Sequence, residues 1–188
     1  MVPGAPRPWT WLRQVHGAAT VVVDHPGQHA GADADAAVTA APGCALAVRT
    51  ADCAPIVLAG ERAVGVVHAG WRGLMGGVVD AAVGALRALD PAPVVAHLGP
   101  CIHAGCYEFD GPEREELVAR FGPSVAATTT WGAPAVDLPA AVHAALAALD
   151  VPLATGSPGC TACGPGWYSH RARQEAQRIA TVAWLEPA

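Results

Sequence analysis

The sequence predicts an α+β fold, a β-sheet with helices packed outside it, and three observations carry the prediction. Short valine-rich segments cluster in the first seventy residues, longer helix-periodic segments are interspersed after them, and proline and glycine punctuate both. TVVVD (20–24), CALAVRT (44–50), PIVLAG (55–60) and AVGVVH (63–68) are short and apolar, as strands buried on both faces or nearly so must be. Gly60-Glu61-Arg62 marks a tight hairpin between the last two. LMGGVVDAAVGALRALD (74–90) predicts a helix packed through Leu74, Val78, Val79, Ala82, Leu86 and Leu89. VVAHLG (94–99) reads as another strand, and GPEREELVARFG (111–122) as a helix with acids in its first turn and a glycine stop. DLPAAVHAALAALD (137–150) predicts a helix with Asp137 as N-cap and Pro139 in the first turn, and TVAWL (181–185) a closing strand.

Composition narrows the function. At 188 residues and 52% hydrophobic, the chain fits one folded domain, residues 1–188. No apolar run approaches the roughly 18 residues of a membrane span. The opening MVPGAPRPWTWLRQ lacks the charged and apolar regions of a secretion signal, so a cytoplasmic protein is expected. The six cysteines then read as free thiols or metal ligands before disulfides. A net charge of −5 with no basic run argues against sequence-independent nucleic-acid binding. All eleven basic residues are arginine, so Schiff-base and Walker-type lysines are excluded. Any anion must be held by arginine, backbone N–H groups or a metal.

Three strand ends or turns carry metal-ligand side chains: QVHG at His16, TADC at Cys53 and VVHAG at His68. Two imidazoles and a thiolate suit zinc, or copper less securely, and leave one tetrahedral position open, as in catalytic sites. The spacings are too wide for a finger-type signature, so separate core or turn roles remain open. Asp52 is a candidate acid/base or a cap for the turn before Pro55, and Arg49 a ligand contact or one half of a salt bridge. In VVHAGWRG (66–73), Arg72 sits on a turn between Gly70 and Gly73, suited to a bidentate grip on phosphate or carboxylate. Trp71 offers a stacking face or core packing. LGPCIHAGCYEFD (98–110) brings Cys101, Cys106, Tyr107 and Glu108 onto a Gly/Pro loop, with Cys106 either a nucleophile or a buried small hydrophobe. CTAC (160–163) has the form of a metal or redox pair, but a second such pair is absent. No histidine is followed two places later by glutamate, unlike the zinc base deaminases.

Together QVHGA, RTADCAP, VVHAGWRG, LGPCIHAGCYEFD and the late DL…CTAC…YSHR…R…AWL resemble the laccase-domain family. That family was once described as multicopper polyphenol oxidases and is now understood as purine nucleoside phosphorylases. The resemblance runs from about Trp9 to Leu185 and implies mixed β-sheets flanked by helices, in a chain without the family's usual N-terminal segment of strands. It also implies a metal site of His16, Cys53 and His68 holding zinc, with copper possible in its place. Arg171 and Arg178 match the family's late arginines, whereas Ala172 stands where a further arginine is usual. Eight histidines with no H-x-H pair do not suffice for a multicopper oxidase.

The implied reaction is phosphorolysis of adenosine, inosine or a related purine nucleoside to free base and sugar 1-phosphate, with adenosine deamination as related chemistry. Asp52, Cys53, His68 and Glu108 are then the expected catalytic residues. Arg49, Trp71, Arg72, Cys106, Tyr107 and Arg171 are the expected substrate and phosphate contacts. The partners are a nucleoside and phosphate, not nucleic acid or membrane. A cysteine-nucleophile hydrolase using Cys53 and His68, or a non-catalytic metal-binding protein, are the rival readings.

Overall fold

The computed structural model describes residues 3–186 and has the expected α+β class. The first half of the chain supplies β1 (Trp9–Trp11), β2 (Thr20–Val22), β3 (Ala36–Thr39), β4 (Ala45–Thr50), β5 (Ala54–Ala59) and β6 (Val64–Ala69). Helices α1 (Trp71–Gly76) and α2 (Val78–Leu89), strand β7 (Val95–Leu98) and helix α3 (Pro112–Phe121) follow. The chain continues through β8 (Ala126–Thr128), β9 (Pro134–Val136), α4 (Leu138–Ala147), β10 (Leu153–Thr155), α5 (His170–Arg173) and β11 (Ile179–Ala183).

A six-stranded sheet, ordered β10-β7-β5-β6-β3-β2, forms the centre. It is mixed: β5 pairs antiparallel with β6 and β7, whereas β2 is parallel to β3. A three-stranded sheet, β1-β4-β11, and a small hairpin, β8-β9, complete the framework. Strand alternation divides the apolar residues between two cores. Val67 and Ala69 of β6, with Ile56 and Leu58 of β5, face a core completed by α1, α2 and α4. Val64 and Val66 face the other way, onto Leu46 and Val48 of the three-stranded sheet. His68 shares their parity, so the pleat turns it toward the space beside the second sheet.

Local chemistry accounts for the element ends. Gly60 closes the β5–β6 hairpin by donating its N–H to the Ala63 carbonyl at 2.9 Å. Asp137 caps α4, its Oδ1 accepting the Ala140 N–H at 2.9 Å, with Pro139 inside the first turn.

Three expectations need correction. The helix predicted over 74–90 is two helices, because Gly77 takes the left-handed conformation (φ +83°) and ends the first while starting the second. The segment expected as a turn around Gly70 and Gly73 belongs to α1, so Trp71 and Arg72 lie in a helical first turn. The closing strand lies two residues earlier than expected, at Ile179–Ala183, where its register on β4 places Ile179 opposite Thr50. Among the described residues no helix is long and apolar enough to cross a membrane.

Candidate metal centre and its cavity

His16, Cys53 and His68 converge at one end of the central sheet, their ligand atoms all within 4.8 Å of one another. His68, next to last in β6, lies opposite Pro55 of β5, and Cys53 directly precedes β5. His16 reaches the pair from a loop where its own φ is +59°. Gly70 makes the convergence sterically possible. A Cβ there would sit 3.0 Å from the Cys53 sulfur and 3.2 Å from the His16 ring.

One residue that the sequence reasoning missed organises this triad. Asp35, fully buried just before β3, accepts the Val15, His16 and Gly17 N–H groups at 3.2, 3.0 and 2.8 Å. Its Oδ1 also lies 2.7 Å from Nδ1 of His68, which is 3% exposed. With Nδ1 engaged, Nε2 is the His68 nitrogen left for a metal, the usual carboxylate–histidine arrangement around a ligand. Burial pushes Asp35 up, but His68 and the Gly17 and Val15 N–H groups outweigh burial and hold the carboxyl below its usual range. Burial likewise disfavours charge on Cys53 and on His68. Hydrogen bonds from His16 and His68 nevertheless bring the Cys53 thiol down to about 6. Asp35 and Cys53 raise His68 to about 9. The two imidazoles thus favour the anionic form of the sulfur. An anionic sulfur beside two imidazoles is a donor set that fits zinc.

The triad opens into a cavity of about 690 Å³. Of the expected residues, Arg49, Asp52, Trp71, Arg72, Tyr107 and Arg171 line it with the triad. Arg72 lies over the Trp71 ring at 4.3 Å, Arg49 over Trp11 at 5.6 Å and Arg171 over Tyr107 at 5.1 Å. Among the described residues no carboxylate forms a salt bridge with Arg49, Arg72, Arg171 or Arg178. Arg13 and Arg178 bring the arginines on the walls to five, with Arg13 paired to Asp33. Trp71 packs edge-on against Phe109, with ring centroids 5.5 Å apart, so it serves the core and the wall together. Burial raises the Tyr107 hydroxyl well above its ordinary value, keeping it a neutral donor.

Asp52 is committed elsewhere. Its Oδ1 accepts the Thr161 hydroxyl and its Oδ2 the Arg171 N–H, both at 2.7 Å. These bonds hold a non-glycine residue at φ +96°, a costly conformation that surrounding structure must enforce. Glu108 and Cys106 do not line the triad's cavity; they border a second one of about 410 Å³ with Asp110, Trp131 and Arg171. Glu108 accepts the Trp131 indole N–H at 2.8 Å, and Cys106 joins Cys160 and Cys163 in a separate sulfur cluster. All six cysteines are free thiols.

Fold and site define a mixed α+β protein carrying a candidate Cys/His metal centre at the end of its central sheet. The chain belongs to the family described as multi-copper polyphenol oxidoreductase laccase, whose model matches residues 2–186. It is 46% identical over 185 residues to a purine nucleoside phosphorylase of Streptomyces griseus, covering 94% of this chain and 74% of the relative. A purine nucleoside phosphorylase of Streptomyces coelicolor is 44% identical over 181 residues, with the same coverage of 94% and 74%. The crystal structure of Neisseria meningitidis protein NMB0706 superposes with a TM-score of 0.84 at 29% identity, over 96% of this chain and 76% of that one. YlmD from Geobacillus stearothermophilus gives 0.81, also at 29% identity, over 95% and 74%.

Proposed function

We propose that this protein is a zinc-dependent purine nucleoside phosphorylase, taking a purine nucleoside and phosphate to free base and sugar 1-phosphate. The observation that carries the reading is a pair of guanidinium groups, on Arg49 and Arg72, that face the triad's cavity without a carboxylate salt-bridge partner among the described residues. His16, Cys53 and His68 would hold the zinc, which when bound would supply Lewis acidity. The names of the Streptomyces relatives support the same substrate pair.

The chain's own groups have distinct tasks in this reading. Arg49, Arg72 and Arg171 compensate phosphate charge, and their stacking on Trp11, Trp71 and Tyr107 restricts where each can reach. Trp71 and Tyr107 border the nucleoside, with the Tyr107 hydroxyl donating a hydrogen bond. Asp35 fixes the His68 tautomer and the His16 loop. Asp52 anchors the Arg171 backbone and the Thr161 loop, a positioning role in place of the acid/base role expected from sequence. Glu108 contributes its carbonyl, which accepts from Arg171 Nη1 at 2.8 Å.

A panel of adenosine, inosine and methylthioadenosine, incubated with and without phosphate and resolved by chromatography, tests the proposal. Base and sugar 1-phosphate forming only with phosphate is the expected result. Deaminated nucleoside and ammonia formed without phosphate identify water as a nucleophile on the purine ring, a reaction separate from phosphorolysis. Turnover that persists in metal-stripped protein and stops on alkylation of Cys53 replaces the reading with the cysteine hydrolase.

A further inference from the structure

The linear sequence leaves CTAC without partners, but the fold supplies a third sulfur. Cys106, at the end of a 3₁₀ turn, meets Cys160 and Cys163, and the three sulfurs lie within 4.8 Å of one another. The loop carrying the last two is shaped around the first of them. The His103 N–H points at the Cys160 sulfur at 3.4 Å. The Gly164 N–H closes the loop on the Cys160 carbonyl at 2.8 Å. Only glycine permits that closure, because a Cβ at position 164 would lie 2.6 Å from the same carbonyl oxygen. The loop is tied behind by the Thr161 N–H, which donates to the Cys101 carbonyl at 3.0 Å, and by the Thr161–Asp52 bond. A Cys-x-x-Cys-Gly loop closed on its own carbonyl, with a backbone N–H pointing at its first sulfur and a third sulfur beside it, favours the thiolate, and thiolate is the form that binds metal.

We propose that Cys106, Cys160 and Cys163 form a second metal site, all-sulfur, that takes one thiophilic ion of the zinc type. Tetrahedral zinc at about 2.3 Å from each sulfur sets them just under about 4 Å apart, so a contraction of about an ångström suffices. Three thiolates leave one position, to be filled from the solvent side where Cys163 is exposed. Backbone N–H groups outweigh burial and lower the Cys160 thiol, whereas burial and the neighbouring sulfurs push Cys106 up. Binding therefore displaces protons and weakens as pH falls. The site is independent of the reaction proposed above, and of the His16, Cys53 and His68 ligands.

Cadmium titration of the full chain, reduced with a phosphine, separates the two sites through the ultraviolet band of Cd–thiolate bonds and the ion count after desalting. Two ions per chain are expected. The Cys53→Ser variant should keep one ion and about three-quarters of the band, since one site offers one sulfur and the other three. The Cys163→Ser variant removes an exposed ligand without touching the core. It should weaken the second ion by more than the about 10–100-fold cost of losing an outer-shell partner. Cys106→Ser should do the same while circular dichroism stays unchanged. A parent chain whose single ion is lost in Cys53→Ser but kept in Cys163→Ser overturns the proposal, whereas a single ion lost in Cys163→Ser and kept in Cys53→Ser supports it and overturns the first centre instead. A second ion whose affinity and band survive both Cys163→Ser and Cys106→Ser also overturns the proposal.

Discussion

The two sulfur clusters of this molecule are built by opposite means. Around His16, Cys53 and His68 the support is a buried carboxylate, Asp35, which holds two of the three ligands and raises the imidazole it touches. Around Cys106, Cys160 and Cys163 the support is backbone N–H, brought to one sulfur by a glycine-closed loop. Their surroundings differ in sign as well. The first opens on a cavity with five arginines, and the second borders a cavity carrying Glu108 and Asp110. A carboxylate can serve as support only where the ligand it touches is an imidazole, because beside a thiolate it would oppose the charge that binding needs. The arginine-lined cavity is suited to recruit an anion beside the first cluster, whereas the second cavity offers one arginine against two acids.

The largest effect that separates them is expected from Cys53→Ser. Removing the one thiolate of the first cluster should empty that centre and abolish turnover, while zinc analysis still finds the ion held by the other three sulfurs. Zinc retained at full stoichiometry in the first centre would break the assignment of Cys53.

Arg72→Ala probes the cationic side of the comparison. Charge-assisted hydrogen bonds are worth about 1.5–3 kcal/mol each. Phosphate-dependent cleavage should slow by about 10–100-fold. Arg72→Lys should recover little, because an ammonium lacks the planar fork. Kinetics at varied phosphate check this, and an unchanged phosphate KM in Arg72→Ala removes Arg72 from the anion site.

Asp35→Asn should lower zinc affinity of the first centre by about 10–100-fold, the cost of losing an outer-shell partner. Cadmium affinity of the three-sulfur cluster should not change, so competition with a chelator measures the two supports against each other.

The smallest perturbation is pH alone. In metal-stripped protein the Cys53 thiolate fraction should rise through about pH 6 and stay level above it, so alkylation gains rate between pH 5 and 7 and then flattens. Burial pushes Cys101 up to about 12, so it should remain inert over that range. Mass mapping of the alkylated cysteines reads both. A Cys53 profile with its midpoint near the ordinary thiol value would show that the two imidazoles do not hold the sulfur as anion.

His16, Cys53 and His68 were each legible in sequence because a metal-ligand side chain at a strand end or turn stands out, but their meeting was not. Residues 37 and 15 positions apart come together only through strand pairing, which spacing alone does not encode. Asp35 was illegible for a related reason. Set among alanines in ADADAAVT, it takes its role from lying beside His68, its neighbour across 33 residues. Helix α1 escaped because WRGLMG holds two glycines, and local propensity favours a turn. Packing overrides propensity there: a Cβ at Gly73 would sit 3.1 Å from the Gly17 carbonyl, so the helix approaches the His16 loop as closely as it does only with glycine. The short β1, β3 and β10 lack the valine runs that marked their neighbours, and tertiary pairing defines them instead.

The position of the first cluster along the chain has a consequence for biosynthesis. Cys53, His68 and the supporting Asp35 lie on or directly before β5, β6 and β3, which are contiguous in the sheet and complete by residue 69, and His16, on the loop before β2, is tied to them through Asp35. Arg171 and Arg178, on the facing wall, leave the ribosome about a hundred residues later. The residues of the candidate metal centre are thus translated as one early block, and the cavity beside them is completed by the last part of the chain. A chain ending near residue 165 would carry all three residues of the candidate centre but neither Arg171 nor Arg178 of the cavity wall, nor the β11 that pairs with β4.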